Sequence, residues 1–210
     1  MDIINKRKKA TQRLVLAAVM TALVIVLQLL GTFTAIFGPF ATAVGLVPII
    51  IGAAMCGVGV GGWLGLVFGV VVLLTNSAAF LGISFGGTIV TVLAKGILCG
   101  LGAGLVYKLL EGVNKYLAVL AAAITGTVVN TGVFTLGFYA FFLEKFQDPT
   151  VQQESGLFQA FINGNPSGNM TEFLFIFLIG TNFFVELATN IILAPVIVRL
   201  LDLRKRISKD

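Results

Sequence analysis

Six apolar runs, most of them long enough to cross a lipid bilayer, constrain this chain more than any motif in it. They cover about residues 14–30, 41–55, 63–74, 88–110, 116–143 and 172–201. A hydrocarbon core roughly 30 Å thick takes about 20 helical residues. Inside it every backbone N–H and C=O must be satisfied by protein, so only helices or a closed barrel can cross. Barrel strands would read as alternating segments of about ten residues, and these runs are continuous. A soluble surface also needs about a quarter of the residues charged, whereas this chain has 58% hydrophobic and 11% charged residues. The sequence therefore predicts an all-α integral membrane protein: a single transmembrane domain over residues 1–210, folded as a six-transmembrane-helix bundle.

Charge placement orients the bundle. Basic residues near span ends favour the cytoplasm. Lys6, Arg7, Lys8, Lys9 and Arg13 precede the first run, Lys108 and Lys115 bracket the fourth–fifth connection, and Arg199, Arg204, Lys205, Arg206 and Lys209 close the chain. Six crossings put these twelve of the fourteen Lys and Arg on one side and only Lys145 on the other, with Lys95 inside the fourth run. Both termini are thus expected in the cytoplasm of a multi-pass plasma-membrane protein, with the polar segment 144–171 outside. The net charge of +5 is a membrane-orientation signal, and no nucleic-acid partner is expected. A cleaved signal peptide is a poorer reading of the N-terminus: the apolar run exceeds a usual signal core and no small-residue cleavage site follows it.

The chain has no His and two Cys, Cys56 and Cys99, both inside apolar runs. That pattern fits packing residues better than a metal site, and it removes His-based catalysis. An intramembrane enzyme would need a nucleophile–base or acid pair, and Glu186 is the one clearly intramembrane acid. No catalytic residue, metal or cofactor is expected. Gly57, Gly61, Gly65 and Gly69 recur every fourth residue, as do Gly96, Gly100 and Gly104. Such stripes let helices approach closely in lipid. Ala18 and Ala22 form a further small-x-x-x-small face, open to bundle packing or to a partner subunit.

Polar residues inside apolar runs mark what remains. Lys95 must find an interior environment, because a Lys near a helix centre costs about 2.5–3.5 kcal/mol on insertion scales. It is a candidate contact for an anionic substrate, or an ion-pair partner of Glu186. Asn182 and Asn190 flank Glu186 at i−4 and i+4, and Asn130 adds an amide to the fifth run. For Asn190, deeper in the run, interhelical hydrogen bonding is the better reading. Asn76, Ser77, Phe80, Ser84 and Phe85 crowd the third–fourth connection, a stretch (75–87) expected to be loop, and Gln28 lies near the outer end of the first run. The candidate substrate-binding set is Gln28, Asn76, Phe80, Phe85, Lys95, Asn130, Asn182 and Glu186. Apolar walls with a few placed polar groups are what a small-molecule pocket requires.

The basic head running into Leu14–Ala22, the Leu46–Ala54 stretch, the glycine-rich Gly57–Gly69, Leu93-Ala-Lys-Gly96 and Gly100–Tyr107 follow one another in an order that resembles a known family. The chain resembles an S component, the substrate-binding membrane subunit of energy-coupling factor importers for vitamins and related micronutrients. The resemblance implies a docking role for Ala18 and Ala22 against a transmembrane coupling subunit. It further implies two ATPase subunits as partners, a substrate site in the outer half, and toppling in the bilayer to release a vitamin inward. The chain itself has no G-x-x-x-x-G-K-[ST] loop. The long 144–171 segment departs from the family's usual outline. One intramembrane Lys and several amides suit a small acid, with pantothenate first and riboflavin second. The alternative is an independent secondary carrier or channel for a small organic solute. Such carriers often show repeat halves and broken helices, and this chain has no convincing internal repeat.

Overall fold

Interrupted by glycine, proline and short polar turns, the apolar runs fold as helices over their described residues. The computed structural model describes residues 2–34, 43–156 and 179–207, with isolated positions 159, 163, 169, 172 and 175 between the last two stretches. Helix α1 covers Asp2–Thr34. A 3-10 turn, Ala43–Leu46, leads into α2, Val47–Cys56, with Pro48 in the first turn, where its missing N–H costs no helical bond. Gly57 then reverses the chain at φ +96°, a conformation strained for any side chain. Helices α3 (Val58–Asn76) and α4 (Ala78–Ile83) follow, and then α5 (Phe85–Leu110). Asn114 caps α6 (Lys115–Phe141), its Oδ1 accepting from the backbone N–H groups of Tyr116 and Leu117 at 2.8 and 3.2 Å. Two short helices, α7 (Leu143–Phe146) and α8 (Pro149–Glu154), precede α9 (Thr181–Ile207). Asp148 caps α8 by accepting from the N–H and hydroxyl of Thr150, and these bonds hold its carboxyl below the ordinary value.

Among the described residues, five helices are long and apolar enough to cross a membrane: α1 over Ala10–Thr32, α3, α5, α6, and α9 over Phe183–Asp202. The expected second span is the exception. Helix α2 has ten residues, about 15 Å at 1.5 Å per residue, roughly half a hydrocarbon core. Two other expectations need correction. The glycine run 57–62, read as a connection, is Gly57 followed by the first turn of α3; packing overrides the poor helix propensity of glycine. The stretch 75–87, read as loop, is mostly helical, because α4 is a complete short helix. The last span was expected from residue 172; its α-helix runs over Thr181–Ile207, and residues 172, 175, 179 and 180 are also helical.

Helix order and contacts give an up-and-down bundle. The Cys56 thiol lies 3.8 Å from the Arg13 carbonyl, and an ion pair joins Lys115 to Asp202, so these connections share one end with the chain termini. Thr32 meets Thr75 and Asn76 (2.7 Å to Asn76 Oδ1) at the other end, where the Lys145 ammonium donates to the Ile83 carbonyl at 2.9 Å. The tightest contact is between α3 and α5. A Cβ on Gly61 would stand 2.5 Å from the Gly100 carbonyl oxygen, and one on Gly69 3.0 Å from that of Val92. Cβ atoms on Gly65 and Gly96 would each collide with the other glycine's carbonyl oxygen. The two stripes therefore pack backbone on backbone inside the bundle. Cys56 and Cys99 are both buried, as packing residues would be.

Gly65→Leu should force α3 and α5 apart and lower the melting temperature of the detergent-purified protein sharply, since overpacking costs about 1–3 kcal/mol even where neighbours can shift. Gly59→Ala, whose Cβ meets nothing within 4 Å, should leave it unchanged or slightly raised. Equal melting temperatures for the two variants would show that the backbone contact is not what holds these helices.

Candidate substrate site

Between α1, α3, α5, α6 and α9, at the end of the bundle away from the termini, lies a cavity of about 340 Å³. Its walls are largely apolar, with Phe68, Val72, Val92 and Phe134 among them, and Phe80 of α4 borders it. Helical spacing explains the choice of side chains. Phe68, Val72 and Asn76 stand at i, i+4 and i+8 on α3, and Val92 and Lys95 at i and i+3 on α5, so each helix presents one stripe. Asn130 and Phe134 do the same on α6.

Six of the eight residues singled out from sequence line this cavity: Gln28, Asn76, Phe80, Lys95, Asn130 and Glu186. Phe85 does not. It is 68% exposed at the start of α5, looking out from the bundle. Asn182 lies in the first turn of α9, and its side chain falls outside the described residues. Ser77 lines the cavity, its hydroxyl donating to the Val72 carbonyl at 3.1 Å, while Ser84 starts α5 beyond it. Phe68, Phe134 and Thr131 were missed. The stripe below Asn76 pointed to Phe68, and the stripe through Asn130 pointed to Phe134.

The polar groups fall at two levels. The Lys95 ammonium sits over the Phe134 ring, 5.5 Å from its centroid, a cation–π contact. It makes no hydrogen bond to any described residue and no ion pair within 4.0 Å; Glu186 is the acid whose field it feels. One turn along α6, about 6 Å away, the Asn130 amide nitrogen donates to both Glu186 oxygens at 3.1 and 3.4 Å. An ionised carboxylate only accepts, which fixes the orientation of the amide and sends Asn130 Oδ1 the other way. That oxygen is buried without a partner, as is Gln28 Oε1. An unsatisfied buried acceptor costs about 1–3 kcal/mol. One level deeper, Asn190 donates to the Thr127 hydroxyl at 3.0 Å, away from the cavity lining. Asn190 is thus an interhelical hydrogen-bonding residue.

On the opposite surface of α1, Ala18 and Ala22 are exposed together with Leu14, Val15, Val19 and Val26. The Trp63 indole donates to the Thr21 hydroxyl at 3.2 Å, tying α3 to this helix.

No curated protein and no solved structure matches the chain. A family model, that of the substrate-specific component of ECF transporters, matches residues 12–198. That span contains the whole cavity and the exposed face of α1. The chain belongs to the family of ECF transporter substrate-specific components, which are transport subunits and not enzymes.

Proposed function

We propose that the cavity captures a small organic-acid micronutrient, pantothenate being the first candidate and riboflavin the second, from the side of the membrane opposite the termini. The observation that carries this reading is the Lys95 ammonium, which faces the cavity with no hydrogen-bond or ion-pair partner among the described residues. A cation held in an apolar bundle is costly, and a ligand carboxylate offsets that cost. The volume of about 340 Å³ falls near the lower end of the roughly 300–1,000 Å³ usual for small-molecule sites. It fits a compact acid better than a tricyclic flavin.

The same reading places both termini in the cytoplasm, from the distribution of Lys and Arg. It takes the 43–56 segment, a 3-10 turn and α2 together, as the remaining crossing of a six-span bundle. Ala18 and Ala22, exposed on α1, are the proposed docking face for a transmembrane coupling subunit, through which two ATPase subunits drive inward release. Small side chains there let a partner helix approach closely.

Thermal unfolding of the detergent-purified chain against a panel of vitamins and precursors tests the substrate. A ligand at 100 times its dissociation constant stabilises the folded state by about 2.7 kcal/mol, so pantothenate should raise the melting temperature by several degrees. In Lys95→Met the affinity for the acid should fall more than tenfold. Unchanged affinity in a folded variant would remove Lys95 from the site. Ala18→Trp combined with Ala22→Trp should abolish uptake into cells while detergent binding stays intact. Loss of binding in that variant would instead place these alanines in the folding or the pocket.

A further inference from the structure

Lys95 and Glu186 face one cavity from α5 and α9 without forming an ion pair, and this constrains the ligand more than either residue alone. A molecule that is only anionic would be drawn to Lys95 and repelled by Glu186. A molecule that is only cationic would meet the reverse. The hydrogen-bonding inventory has the same polarity. The level of Lys95 offers N–H donors. The level of Asn130 offers an acceptor, the Glu186 carboxylate, which lines the cavity and is 8% exposed. The Asn130 amide nitrogen and the Thr127 hydroxyl both bond a carboxylate with about four lone-pair sites, so some acceptor capacity remains.

We propose that the ligand is bipolar: an acid whose carboxylate meets Lys95 and whose other end carries hydroxyl, amide or ammonium hydrogens for Glu186. The two levels are one helical turn apart on α6, about 6 Å, so its two ends are separated by a short chain of several atoms. Phe68, Val72 and Phe134 enclose that middle portion. Asn130 positions the carboxylate, and Glu186 reads the donor end. A site built to bond a ligand O–H or N–H rejects the analogue lacking it strongly, because its own buried acceptor is then left unpaired. This inference rests on the acid-binding reading above and adds the requirement at the far end.

Calorimetric titration of the full-length protein in detergent, using acids paired to differ only in far-end donors, separates the two. The pairs are pantothenate and its analogue lacking both hydroxyls, 5-aminovalerate and valerate, and 6-hydroxyhexanoate and hexanoate. At least one donor-bearing acid should bind about 30-fold or more tighter than its partner, and in Glu186→Gln that preference should fall below about threefold. Thermal unfolding of the unliganded variant checks that it is folded. Acids that bind equally with and without donors, and lose affinity together in Lys95→Met, would overturn the bipolar inference while leaving the acid reading in place. A preference that persists in Glu186→Gln would overturn the role given to Glu186. Failure of every acid to bind would overturn both readings.

Discussion

Everything that places the cavity follows from how closely α3 and α5 approach. In lipid the surrounding tails are as apolar as Leu, so no hydrophobic drive holds two helices together; dispersion between well-fitted surfaces does. The fit here is backbone against backbone, with Gly61 and Gly65 of α3 facing Gly100 and Gly96 of α5. Reciprocal contacts of this kind lock both the rotation and the register of the pair. Lys95 precedes Gly96, so it is turned about 100° around the helix from the face against α3. That rotation aims it, with Val92, into the space beyond the contact. Phe68 and Val72 stand beside the glycine face of α3 and border the same space. The position of the cation is therefore set by glycines that never touch it.

The far wall is organised differently, by polar rungs between antiparallel helices. Glu186 of α9 pairs with Asn130 of α6, Asn190 with Thr127, and Asp202 with Lys115. Residue numbers rise along α9 as they fall along α6, which is what a straight antiparallel register requires. Each such interhelical bond contributes about 0.6 kcal/mol on average, so together they define register more than they add stability. Pro195 leaves one carbonyl of α9 without its helical partner. It falls between the second and third rungs, so a local bend there need not disturb the first. The rung nearest the cavity is the one whose carboxylate lines it. The same amide that fixes register also presents the carboxylate.

The sequence made legible whatever follows from periodicity and composition. The apolar runs located α5 and α6 to within a few residues, while α1 begins twelve residues before its expected run, and stripes of i, i+4 spacing predicted closely packed faces on α3 and on α5. Six of the candidate site residues meet at one cavity because polar atoms inside apolar helices have few other places to go. Two features were hidden for physical reasons. Glycines at 58–62 read as turn by propensity, yet only Gly57 needs a positive φ. Gly61 and Gly62 serve packing, against Gly100 and Leu101, which local sequence does not display. Phe85 looked equivalent to Phe80, five residues earlier in the same stretch expected to be loop. Whether each faces the cavity depends on Ser84, whose extended conformation between α4 and α5 resets the rotation of the chain. A break of that kind leaves no mark in hydrophobic periodicity.

Helix α1 links the two functional surfaces. Met20, Val24 and Gln28 recur every four residues and are buried against the bundle, ending at the cavity. Ala18 and Ala22 lie two residues before Met20 and Val24, about 200° around the helix, and face outward. One helix thus brings a buried amide to the cavity wall and a smooth exposed face to the proposed partner. The two are separated along the axis by the six residues from Ala22 to Gln28, about 9 Å. A rigid helix of this length carries any displacement of one face to the other, so a ligand that drew Gln28 inward would also tilt the alanines. Coupling between occupancy and docking would then need no separate relay, because both would act on the orientation of a single helix held to α3 by the Trp63–Thr21 hydrogen bond and to the α3–α4 end by Thr32 and Asn76.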